Sequence, residues 1–324
     1  MKGFMKTSRA INQFIVLLCA VLVSFFVIGF IGTLLLAMTS GLNLGEISDL
    51  SKLDFSKPGI IGFLRGMQLV QFISLFVIPV FICAWLFGNN TKRYLGLKQP
   101  SHLGYILVGV GVMLIAIPFT SWLGELNRNI PFPSGMASWM KAKEDDAART
   151  IQALLTRSTI KDLLLNIVFI AGLAAVGEEL LFRGMVQRLL IKMFKSPWAG
   201  IIVAAALFSA MHMQFYGFLP RFALGVLLGV IYWYSGSLWT AMLAHFIYDA
   251  SLIVLAYYNP SMLEDESNMQ VGNLVIAGVI SMALVTALVL WMKNRSSVSF
   301  ETVYAEDGMP VKNHPFDFEH NTPE

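Results

Sequence analysis

The sequence predicts an all-α, polytopic membrane protein of about eight transmembrane helices. Hydrophobic residues make up 56% of the 324-residue chain and charged ones 13%, about half the charged share of a soluble domain. Too few polar side chains remain to coat a water-facing surface, and the mean hydropathy is +0.67. The apolar residues also arrive in blocks of about 20, the helix length that crosses a hydrocarbon layer about 30 Å thick.

The first block, 11–38, follows Lys2, Lys6 and Arg9. It is too long for a signal-peptide core and no small-x-small cleavage site follows it, so it is expected to remain as the first span. Blocks 67–87 and 103–123 contain Pro79 and Pro118, where a kink is tolerated if neighbouring helices satisfy the freed carbonyls. Residues 124–161 are polar and include a charged run from Lys141 to Arg149, which reads as a solvated surface helix in an extracytoplasmic loop. Blocks 162–182 and 198–216 supply spans four and five. In block 218–234, Pro220 and Arg221 leave only Phe222 to Tyr234 uninterrupted. Its Gly225-x-x-x-Gly229 would let a neighbouring helix approach closely. Blocks 238–258 and 271–292 complete the set. The final stretch, 293–324, holds Pro310, Pro315 and Pro323 and few apolar residues, a composition that favours disorder. The expected organisation is an N-terminal three-span region over 1–161, a five-span core over 162–292 and a disordered cytoplasmic tail over 293–324.

Eight spans put both termini on one side. Of the 23 Lys and Arg, 13 fall on the amino-terminal side and 10 on the other, six of these in 124–161; the first set clusters against span ends: Lys92, Arg93 and Lys98; Arg183, Arg188, Lys192 and Lys195; Lys293 and Arg295. By the positive-inside rule both termini are expected in the cytoplasm, the location being a bacterial inner (cell) membrane. A net charge of +3 gives no broad basic face, so the lipid bilayer is an implied partner and nucleic acid is not. Cys19 and Cys83 both lie inside apolar runs with no metal-ligand or disulfide spacing.

An ionisable side chain near the bilayer centre costs at least about 2.5–3.5 kcal/mol, so each needs a reason. Those in the spans are concentrated: Glu178 and Glu179 in span four, His212 in span five, His245 and Asp249 in span seven. Glu179 and Arg183 stand i,i+4 with the acid first, the favourable order for an intrahelical pair. Glu178 is turned about 100° from Glu179 and is free to face another neighbour. Phe208 with His212, and His245 with Asp249, each share one helix face. If span four stays helical to a turn at Ser196-Pro197, Glu178 and His212 both rise about 22–27 Å above that turn and can meet. His245 rises only about 12 Å from the Ser235-Gly236-Ser237 turn. The heights agree if the four–five hairpin, including the amphipathic stretch 185–195, projects into the cytoplasm, and the site would then open to that side.

A carboxylate and an imidazole on facing helices can hold one water and take its proton. A second imidazole with a nearby acid can stabilise the oxyanion formed on a carbonyl. The set Glu178, His212, His245 and Asp249 is equally suited to ligating a divalent metal such as zinc, which would itself acidify a bound water. No serine or cysteine is paired with these histidines by any arguable spacing.

The same residues carry a resemblance. Glu178-Glu179-Leu-Leu-Phe-Arg183 resembles the EExxxR motif of the CPBP (Abi) family, which includes the type II CAAX prenyl endopeptidases and bacteriocin-processing enzymes. Phe208-Ser-Ala-Met-His212 is similar to that family's FxxxH motif, and His245-Phe-Ile-Tyr-Asp249 to its HxxxB motif, B being Asn or Asp. The likeness covers roughly 160–255. It implies an eight-helix fold with a cytoplasm-facing cavity and peptide-bond hydrolysis inside the membrane on a membrane-associated peptide or protein substrate. Glu178 and His212 would activate water, Glu179 would pair with Arg183, and His245 with Asp249 would form the oxyanion side. The eukaryotic prenyl proteases have Asn where this chain has Asp249. An acid there cannot donate a hydrogen bond unless protonated but ligates metal well, which keeps the metal alternative in view. Two other functions stay open: a non-proteolytic scaffold or immunity-type protein that keeps the fold, and a transporter using the same residues as a proton relay.

Overall fold

In the computed structural model, residues 2–41, 59–155, 159–260 and 271–299 are described, together with Phe55, Lys57, Val303 and Tyr304. Among the described residues seven helices are long and apolar enough to cross a membrane, so the chain is a multi-pass, all-helical membrane protein. They are α1 (Ala10–Ser40), α2 (Ile60–Phe87), α3 (Gly104–Arg128), α5 (Ile160–Phe194), α7 (Phe218–Ser235, after a single 3-10 turn), α8 (Leu238–Tyr258) and α9 (Val271–Arg295). The surface helix α4 spans Ser134–Leu155 and the short apolar helix α6 spans Pro197–Met211. Large apolar side chains line the outside of the bundle, among them Phe26 at 67% and Phe30 at 68% exposure on α1. That surface is compatible with lipid and not with water.

The expected fifth span is the one element that falls short. Helix α6 has 15 residues, about 22 Å of rise, and stops at His212 although the apolar sequence runs on. The chain reverses through Met213, whose φ of +55° lies in the left-handed region. Ser209 Oγ then donates to the Phe218 carbonyl at 2.7 Å, tying the end of α6 to the start of α7. Hydropathy registers apolar residues, not the direction of the backbone, and so could not mark this stop. Helix α7 forms despite Pro220 and Arg221. It packs closely on α6, as its glycines foretell: a Cβ on Gly225 would stand 3.0 Å from Ala205 Cβ, and one on Gly229 2.9 Å from Ile201 Cγ2. Near Pro118 the carbonyl of Ile115 accepts Ser281 Oγ of α9 at 2.5 Å, an inter-helix bond between α3 and α9.

One end of the bundle gathers the first and last described segments of the chain. There Gly3 and Met5 donate backbone bonds to Trp85 and Leu86 at 2.9 Å, Ser237 Oγ donates to the Lys98 carbonyl at 2.5 Å and Ser296 Oγ to that of Tyr234 at 2.7 Å. The stretch of the four–five hairpin at this end is not open to solvent: every residue from Glu179 to Lys192 is buried. The reason is that its cations find partners inside the protein. The Arg188 guanidinium stands 4.4 Å over the Tyr94 ring and 4.8 Å over that of Tyr304, and Lys192 Nζ donates to Gln13 Oε1 at 3.3 Å. Cation–π and hydrogen-bond partners of this kind replace water for a cation. Tyr304 also departs from the expected disorder of 293–324. It is buried and donates its hydroxyl to the Arg188 carbonyl at 2.6 Å, whereas 305–324 lies outside the described residues.

The opposite end carries α4, which is amphipathic as expected. Lys141 pairs with Asp145 at 3.1 Å and Arg149 with Asp146 on its outer side. Met140 and Leu154 are buried beneath it. Trp139 lies 5.3 Å from Phe215 in the turn after α6, and that turn is fixed to α3 by Asn127 Nδ2 donating to the Phe215 carbonyl at 2.8 Å.

Candidate active site

Three helices bring the polar residues together. Helix α5 supplies Glu178, Glu179 and Arg183, α6 supplies Phe208 and His212, and α8 supplies His245 and Asp249. Beyond Leu180 and Leu181, α5 widens into a π-helical turn, Phe182–Gln187, one of several such turns along the spans. Glu178 is central. One of its oxygens stands 3.9 Å from His212 Nε2 and the other 3.9 Å from His245 Nε2.

The surrounding bonds fix the rings. His212 Nδ1 donates to the Phe208 carbonyl one turn back, at 2.9 Å, which leaves the Nε2 lone pair directed at Glu178. His245 Nδ1 donates to Glu179 Oε1 at 3.0 Å, and its Nε2 lies 3.3 Å from Asp249 Oδ2. Glu179 Oε1 also accepts Arg183 Nη1 at 2.6 Å. Arg183 in turn donates to the Gly225 carbonyl at 3.0 Å and lies 4.7 Å over the Phe208 ring. Phe208 packs edge-on to His212 at 5.1 Å and His245 at 6.3 Å. Both the ring of Phe208 and its carbonyl therefore organise the site.

All seven sequence-derived residues thus converge, with one difference in detail. The expected separation of Glu179 from the histidines does not hold, because Glu179 serves Arg183 and His245 at once. Both nitrogens of His245 face carboxylates, and among the described residues no group of three His, Cys, Asp or Glu is placed to hold a metal ion.

Two neighbours escaped the sequence argument. Arg221 on α7 is held by Gln214, through its carbonyl at 3.1 Å and its side chain, and lies within electrostatic reach of both Glu178 and His212. Its position had marked only the edge of a span, although a charge inside an apolar helix is itself a functional signal. Tyr248 of α8 is buried with its hydroxyl 3.5 Å from Thr120 Oγ1. No feature of the sequence distinguishes it from other membrane tyrosines.

Residues 160–251 match the family described as type II CAAX prenyl endopeptidase Rce1-like. An 89-residue stretch is 35% identical to the uncharacterized protein YpbD of Bacillus subtilis, covering 26% of this chain and 42% of that protein. The likeness therefore spans less than half of that relative. No solved structure matches the chain.

Proposed function

We propose, from the match of residues 160–251 to the Rce1-like family and the geometry of the site, that the protein is an intramembrane endopeptidase in which Glu178 and His212 activate a water molecule. The observation that carries this is the pair of 3.9 Å separations from the Glu178 carboxylate to two imidazoles. A water between Glu178 and His212 Nε2 can donate one hydrogen to each, leaving its own lone pair free for attack. As that oxygen bonds to the substrate carbonyl carbon, Glu178 takes the proton. The carbonyl oxygen becomes an oxyanion, and His245, as an imidazolium that keeps Nδ1–H on Glu179, turns its Nε2–H from Asp249 to that oxygen. Collapse of this intermediate breaks the C–N bond, and the proton on Glu178 passes to the leaving amine. The carboxyl product keeps the water oxygen. Glu179, Arg183 and Asp249 hold His245 in place. The geometry of the Glu178–His212 pair supports this glutamate route, and no step passes through a metal.

The test is hydrolysis of a membrane-peptide library by the full chain in proteoliposomes, run in H₂¹⁸O. We expect fragments with one ¹⁸O in each new carboxyl group, formed equally after dialysis against a chelator. Fragments lacking the label would exclude direct attack by water. Loss of cleavage on chelation, restored by zinc, would replace the glutamate route with a metal-dependent one.

A further inference from the structure

The catalytic residues are reached from one end of the bundle. On the side facing the first and last described segments each contributing helix is sealed: α5 from Glu179 to Lys192, α6 at Ala204, Ala205 and Phe208, and α8 at Leu238, Ala241 and Met242 are buried. Toward the other end, exposure rises on all three. The side chains of Glu178, His212 and Asp249 are 14%, 26% and 27% exposed, and Met211 and Met213 beyond them are exposed. Among the described residues the mouth therefore lies where α6 stops short, beside α4.

Charge orients this axis. The sealed end abuts Lys2, Lys6 and Arg9, Lys92, Arg93 and Lys98, Lys195, and Lys293 and Arg295. These stand in short segments directly at span ends, where the positive-inside rule has most force. The turn 212–217 at the mouth has no Lys or Arg. In chain order the mouth end carries Lys52 and Lys57, Arg128, Arg157 and Lys161, together with Lys141, Lys143 and Arg149 of α4, which lie along a surface helix interleaved with Glu144, Asp145 and Asp146.

From these two observations we infer that the sealed end is cytoplasmic and the cleft opens to the extracytoplasmic face. Its substrates are then peptide segments presented on that face, either exported peptides or the outward ends of membrane proteins, and not the carboxyl termini of cytoplasmic proteins. The substrate class rests on the endopeptidase proposal, whereas the sidedness does not.

Cysteine labelling separates the two. In a chain with Cys19 and Cys83 changed to alanine, Met213→Cys places a thiol at the mouth and Lys195→Cys one in the exposed hairpin of the sealed end. Intact cells are treated with a membrane-impermeant maleimide, then permeabilised and treated again. We expect Met213→Cys to be labelled in intact cells and Lys195→Cys only after permeabilisation. Trp139→Cys on exposed α4 is a second mouth position should the first variant fail to accumulate. The reverse pattern overturns the inference, even if the protein cleaves peptides added on the cytoplasmic side. The expected pattern without cleavage of any outward-presented peptide upholds the sidedness and removes the endopeptidase proposal.

Discussion

Replacing Glu178 with glutamine should lower the peptide-cleavage rate by about 10³-fold, within the range that a positioned general base contributes. The amide keeps the shape of the side chain but cannot take a proton from water. Folding should be spared, because the nearest charged partners of Glu178 are two rings at 3.9 Å, beyond hydrogen-bond distance. Initial rates in proteoliposomes, with the thermal midpoint of the same preparation, check both halves. A variant that cleaves at the wild-type rate would remove Glu178 as the base.

The second large effect concerns stability. Arg183 and Glu179 are an ion pair at 2.6 Å with side-chain exposures of 2% and 0%, and Glu179 Oε2 is buried without a hydrogen-bond partner among the described residues. Removing one member of such a pair strands the other charge and costs about 3–5 kcal/mol. Arg183→Met should therefore sharply lower the thermal midpoint in detergent and the amount of protein that accumulates. Adding Glu179→Gln should recover much of that loss, since the stranded charge is gone. Activity should not return, because Glu179 also holds His245 Nδ1. If the single variant is as stable as the wild type, the pair does not hold α5 in place.

The two sets of residues differ in how they could be found. Glu178, His212 and His245 were legible because an ionisable group in an apolar span is expensive, and i,i+4 spacing assigned their helix faces. Which atoms they share was not legible. The double use of Glu179 depends on how far α8 approaches α5, a tertiary distance that no local pattern encodes. The eight apolar blocks all became helices, yet the stop at His212 rests on one left-handed residue, Met213. That stop leaves the His212 side chain 26% exposed at the end of α6. Arg188 and Lys192 misled for a related reason. Cations on an amphipathic stretch point to water unless distant residues serve them, and Tyr94, Tyr304 and Gln13 do so here.

The most direct measurement is a double-mutant cycle on Glu178 and His212, read as kcat/KM for one labelled peptide in proteoliposomes. If both act on a single water, Glu178→Gln, His212→Gln and the double variant should lose activity to nearly the same extent, the strong non-additivity of residues that work as a unit. Losses that multiply, so that the double variant falls by the product of the two single effects, would mean the groups act independently and would contradict a shared water between α5 and α6.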